Sequence, residues 1–138
     1  MSEFRHLGVP IALSQRAVAA FAGNPANLPR WAAGLAAGIR EERGRWLAES
    51  PMGPVEVRFV GDTAAGILDH EVALPDGTRV LNQFRILDDG PHSLAVFHLR
   101  RAEGATEKAF EADAAAVQSD LEALRRVLEG GLPEAGAV

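Results

Sequence analysis

Thr106-Glu-Lys-Ala-Phe110-Glu-Ala-Asp-Ala-Ala-Ala-Val117-Gln-Ser-Asp-Leu121-Glu-Ala-Leu124-Arg-Arg-Val-Leu128-Glu-Gly130 has the period of one long helix. Phe110, Ala114, Val117, Leu121, Leu124 and Leu128 follow one another at intervals of 4, 3, 4, 3 and 4 residues, which keeps them in one narrow sector of a 3.6-residue helix. Thr106 is a good N-cap, Glu107 complements the helix dipole, and Gly130-Gly131 followed by Pro133 ends the element. Glu122 and Arg126 form a favourable surface pair one turn apart. Roughly 25 residues give a rod about 37 Å long. A stripe of that length needs an equally long apolar surface to lie on.

The residues before it supply that surface. From Ile39 onward the period shifts toward two, predicting strands at 39–49, 54–60, 66–75, 78–87 and 93–102, with a first strand at 4–13. Ser50-Pro51-Met52-Gly53, Gly61-Asp62, Pro75-Asp76-Gly77 and Asp88-Asp89-Gly90-Pro91 supply the turns. Between the first strand and the rest, Ser14 caps a short helix stopped by Gly23, and Asn27 caps a second that carries Trp31, with Pro29 tolerated in its first turn. Short turns force consecutive strands to run antiparallel, so the expectation is an α+β domain of about six strands curved around the C-terminal helix, spanning residues 1–131, with 132–138 a flexible tail.

Composition narrows the function classes. The 138 residues suffice for one core, and the absence of cysteine excludes disulfides, thiolate metal sites and cysteine nucleophiles. The net charge of -5 resides in residues 102–138, which carry eight acidic side chains against three basic ones. No basic, aromatic-interleaved patch points to nucleic acid. The first residues lack the pattern of a secretory signal and no apolar run reaches spanning length, so a soluble, cytoplasmic protein is expected. The four histidines have no metal-ligand spacing with carboxylates, and no glycine-rich phosphate loop follows a strand. No cofactor and no metal are therefore expected.

Phe21-Ala-Gly-Asn-Pro-Ala-Asn-Leu-Pro-Arg-Trp31 resembles the opening segment of the START-like (SRPBCC) polyketide cyclase/dehydrase superfamily. Gly66-Ile-Leu-Asp-His-Glu-Val72, Phe110-Glu-Ala-Asp113 and Asp120-Leu-Glu-Ala-Leu124 resemble a bacterial subgroup of it. The resemblance spans roughly residues 4–130. It implies the helix-grip fold, an antiparallel sheet wrapped around a long C-terminal helix with a cavity between. It leaves activity open, because the superfamily spans lipid carriers, cyclases, dehydratases and partner-binding proteins.

The cavity-facing residues follow from alternation. In strand 66–75, Leu68, His70, Val72 and Leu74 share one face, apolar apart from His70. A three-residue loop at 75–77 sets His70 opposite Asn82 and Leu68 opposite Phe84, and a loop at 88–92 sets Asn82 opposite His98. The result is a polar row, His70–Asn82–His98, on an apolar concave face. Such a row either shuttles a proton, with His70, alone or with His98, as acid/base, or satisfies itself while lining a pocket. A one-residue slip would turn His98 outward and bring Ala95, Phe97 and Leu99 in. Asp69 points away from His70 and suits an ion pair with Arg58 or Arg85. Asp113 and Asp120 flank the apolar stripe, as solvated or salt-bridged groups or reaching into the cavity. Trp46 reads as core, and Trp31 as core or cavity mouth.

The expected ligand contacts are thus Trp31, Leu68, His70, Asn82, Phe84, His98, Phe110, Val117 and Leu121. The leading expectation is a protein that holds an apolar or aromatic, polyketide- or lipid-like molecule under the C-terminal helix. The alternatives are a cyclase or dehydratase acting through His70, and a module that binds a protein partner, a homodimer included. The charge-rich segment 39–49 argues mildly against the last, because charged edges resist pairing.

Overall fold

The computed structural model describes residues 3–33 and 36–131. In chain order these form β1 (Phe4–Ile11), α1 (Gln15–Ala22), α2 (Leu28–Trp31), β2 (Gly38–Glu42), β3 (Arg45–Ser50), β4 (Gly53–Phe59), β5 (His70–Ala73), β6 (Arg79–Asp89), β7 (His92–Arg100) and α3 (Glu107–Glu129). The seven strands make one sheet in the order β1-β7-β6-β5-β4-β3-β2, antiparallel at every step. With α3 laid along it and α1 and α2 following β1, this is the helix-grip fold. The tail expected at 132–138 lies outside the described residues.

Segment 39–49, expected as one strand, is a hairpin. Glu42 pairs with Arg45, and the two residues between them take left-handed backbone, Arg43 at φ 54° and Gly44 at φ 79°. Two positive φ values in succession match the twist of a two-residue hairpin. Gly44 adopts that conformation freely, whereas Arg43 gives no sequence signal for it, which is why the reading runs through the turn. The sheet therefore has seven strands rather than about six.

Helices α1 and α3 begin at the expected caps, whereas Asn27 makes no cap hydrogen bond at α2 and its amide donates to the Phe21 carbonyl instead. Ser14 Oγ accepts the Ala17 N–H of α1, and Thr106 Oγ1 accepts the Ala109 N–H of α3 at 3.0 Å. After α1 a Cβ on Gly23 would sit 2.7 Å from the Ala19 carbonyl oxygen, so only glycine lets the chain leave the helix there. Helix α3 is tied near one end to β1 and near the other to the residue just after it. Arg5 pairs with Glu111, and the Glu129 carboxylate accepts the Ala12 N–H at 2.8 Å.

Burial along α3 is uneven. Phe110, Ala114, Leu121, Leu124 and Leu128 are buried, while Val117, at the centre of the stripe, is only half-buried. Leu121, Leu124 and Leu128 join the main core with Val9, Ile11, Val18, Phe21, Ile86 and Ala95. Phe110 sits apart from that core, under the guanidinium groups of Arg5 and Arg101, 5.0 and 5.9 Å from the ring centroid. The helix is held at its two ends and bridges a gap at its middle.

A buried imidazole in a cavity beneath the long helix

His70 owes its place to the 74–78 turn. The Leu74 N–H donates to the Thr78 carbonyl at 2.8 Å, which sets His70 opposite Asn82, and the Leu68 N–H donates to the Phe84 carbonyl at 2.8 Å. These are the registers expected from the sequence. His70 and Leu68 point inward, and Asp69 points outward. There Asp69 accepts two hydrogen bonds from Arg85, at 2.8 and 3.1 Å, and one from the Phe84 N–H. The Arg85 guanidinium, aided by the Phe84 N–H, holds the Asp69 carboxyl below the usual carboxylate range.

The next turn is tighter than expected. Asp89 pairs with His92, so the connection is Gly90-Pro91 alone rather than residues 88–92. Gly90 takes φ 66°, which a side chain would resist, and the proline ring suits the following position. Shortening the loop shifts β7 by one residue. His98 stands opposite Gln83 and His6, and its ring lies on the outer face of the sheet. It stacks there on Phe4 at 5.0 Å between centroids, and its Nδ1 shares a 2.9 Å hydrogen bond with His6 Nε2. The polar row is therefore His70–Asn82, ending on Leu99, and His98 does not line the cavity beneath α3.

A cavity of about 260 Å³ lies where α3 bridges the sheet. Asp113, Ala116, Val117, Asp120 and Leu121 form its helical wall. Phe59, His70, Asn82, Phe84, Phe97 and Leu99 form the wall from β4 to β7, and Leu28, Trp31 and Ala32 close one side. Of the expected contacts, Trp31, His70, Asn82, Phe84, Val117 and Leu121 line this space. Leu68 does not, being wholly buried in the core, and Phe110 does not, because it lies nearer the start of α3 under its two arginines. Phe97 and Leu99 enter through the register shift. Phe59 follows from β4, where it stands opposite His70. Trp46 is half-buried and lines no part of the cavity.

The chemistry of the site centres on one neutral imidazole. His70 Nδ1 lies 3.0 Å from the Leu68 carbonyl oxygen, which can only accept, so Nδ1 carries the proton and Nε2 the lone pair. Nε2 meets Asn82 Nδ2 at 3.5 Å, the long limit of a hydrogen bond. Burial pushes the imidazole below its ordinary pKa, outweighing the opposing effects of the Leu68 carbonyl and Asp69. The ring is further enclosed by Phe59 and Phe97, at 5.6 and 6.4 Å between centroids. Trp31 packs on Phe84, and its indole N–H is buried without a partner among the described residues. The charged groups on the wall, Asp113 and Asp120, are both acidic. Among the described residues no cluster of three or more histidine or acidic side chains is placed to hold a metal ion. No helix among them is long and apolar enough to cross a membrane.

No family model and no curated protein matches this sequence. Solved structures do share its fold. An uncharacterized protein of Bacillus thuringiensis superposes with a TM-score of 0.71 at 14% identity, covering 92% of this chain and 99% of that one. The Aha1 dimer of Colwellia psychrerythraea superposes with a TM-score of 0.71 at 13% identity, over 94% and 98% of the two chains. The di-domain aromatase/cyclase BexL, from the BE-7585A biosynthetic pathway, gives a TM-score of 0.62 at 19% identity, over 92% of this chain and 46% of that one. At such identities the likeness is one of fold.

Proposed function

We propose that this protein binds an apolar or aromatic small molecule in the cavity beneath α3. The observation that carries the reading is the half-buried Val117 at the centre of an otherwise buried stripe, facing a space walled mainly by Phe59, Phe84, Phe97, Trp31 and Leu121. A core that could close over this point would bury Val117 like its neighbours, because filled space is favoured at every methyl group. The volume falls just below the range of about 300–1,000 Å³ usual for drug-sized ligands, so the occupant has one or two rings. His70 Nε2 accepts a hydrogen bond from a hydroxyl or N–H of that ligand and so fixes its orientation.

The same lone pair is what a cyclase or dehydratase would use to take a proton. Binding is the stronger reading, because burial disfavours the imidazolium that a proton arriving at Nε2 creates, and Asp69, whose charge favours it, lies on the other face of the sheet engaged by Arg85. The lowered basicity that burial imposes suits an acceptor better than a base. The similar folds of an aromatase/cyclase and of other small proteins are compatible with either role.

The test is titration with 2-naphthol, followed by quenching of tryptophan emission. Saturable quenching is expected in the parent protein, and its loss in Val117→Phe, whose ring occupies the cavity. Quenching that stays unchanged in Val117→Phe would remove the cavity as the site.

A further inference from the structure

Strand β6 is paired on both edges over only part of its length, its β5 side continuing past β5 through the Ile67–Arg85 bridge. Residues 79–82 pair with β5, and residues 83–89 pair with β7. Strand β7 pairs with β6 only as far as His98, and its last two residues, Leu99 and Arg100, pair with β1 alone. Between 79–82 and 99–100 the two strands therefore face each other without a ladder, and the sheet forks. A groove occupies the fork, and two of the residues lining it, Asn82 and Leu99, also line the cavity beneath α3. These two residues are common to the cavity and the groove.

The rim of the fork differs in charge from the helical wall. Arg79, Arg100 and Arg101 border it, against Glu3 and Glu103. Arg79 is engaged by Glu71, and Arg101 by Glu3 and the Ala105 carbonyl, whereas Arg100 makes no ion pair among the described residues. Val80 and Leu81, which also line the groove, are 42% and 57% exposed, apolar surface on an otherwise charged edge. Backbone groups on the facing strand edges are without strand partners, and such groups bind whatever enters. The rim therefore favours an anion more than the α3 wall does, where Asp113 lies.

We propose that the fork between β6 and β7 is a second portal to the cavity, gated by Asn82 and Leu99, and that it takes the anionic head group of an amphiphile whose apolar body fills the cavity. The proposal rests on the binding reading above and adds the ligand's charge and direction. Its polar contact inside is His70, just behind Asn82, and its head lies against Arg100 at the rim.

Three probes sharing one ring system test it: 2-naphthaleneacetate (anion), 2-naphthaleneethanol (neutral) and 2-naphthaleneethylamine (cation), each titrated by calorimetry. In the parent protein the acetate should bind tightest, with its advantage fading at high salt. Arg100→Glu, a change at an exposed side chain whose folding is checked by circular dichroism, should weaken the acetate about fivefold or more and move the alcohol by less than about twofold, the scale of reversing one partly screened charge. The amine binding tightest, or an acetate affinity indifferent to Arg100→Glu, overturns the portal while leaving the cavity reading intact. Failure of all three probes to bind overturns both.

Discussion

Truncating two residues seven positions apart on α3, Leu124→Ala and Val117→Ala, should have unequal costs. Leu124 is 0% exposed and packs in the main core, so its truncation leaves a void among atoms that cannot follow. Such changes cost about 2–5 kcal/mol, part from lost transfer energy and part from the cavity created. Val117 already faces empty space and is half-buried, so its truncation creates no new void. It forfeits only part of two methyl groups' burial, at about 0.8 kcal/mol per fully buried group, or roughly 1 kcal/mol in all. Urea unfolding monitored by circular dichroism, with equal slopes in the parent and both variants, measures the difference. If Val117→Ala costs as much as Leu124→Ala, the middle of the helix lies on a solid core and the bridging geometry is wrong.

Three further outcomes follow from the same structure. The His70 imidazole is held below the unfolded value near 6.5, so unfolding takes up a proton: stability is full above that pH and falls below it, by at most about 1.4 kcal/mol per pH unit, and His70→Phe should flatten this part of the urea-midpoint profile. Asp69→Asn should cost about 1–2 kcal/mol by denaturant melting, since it weakens both the Arg85 contacts and the acceptor for the Phe84 N–H; its carboxylate is depressed in the fold, so this contribution is present above about pH 4 and is lost as pH falls through the folded value. Arg43→Asn, at a left-handed position between β2 and β3, should raise stability by roughly 0.5–1 kcal/mol, and a lower thermal midpoint would contradict the two-residue turn.

The elements most legible in the sequence are those fixed by local chemistry. The α3 stripe, its Thr106 cap and the Pro75-Asp76-Gly77 loop suffice to place the long helix and to set His70 opposite Asn82. The misses come from turns whose residues do not announce the count. Nothing in Arg43 signals positive φ, so a hairpin passes for a strand, and Asp88-Asp89-Gly90-Pro91 admits loops of different length. Because side chains alternate, one residue of loop length moves His98 to the outer face and Leu99 to the inner. Phe110 belongs to the stripe by period, yet arginines from β1 and from the chain just after β7 cover it, a tertiary arrangement that periodicity does not encode. Likewise the fork depends on where β7 parts from β6, after the Gln83–His98 pair, and no residue pattern marks that point.

The chain holds two tryptophans, and only Trp31 lines the cavity. Nitrogen-15 spectra therefore show two indole signals that can be assigned by mutation and followed during titration with 2-naphthol. A ligand held in the cavity moves the Trp31 signal saturably and leaves the Trp46 signal in place. A Trp31 signal that stays fixed, or equal unsaturating drift of both, would mean that no ligand-sized space exists under the helix.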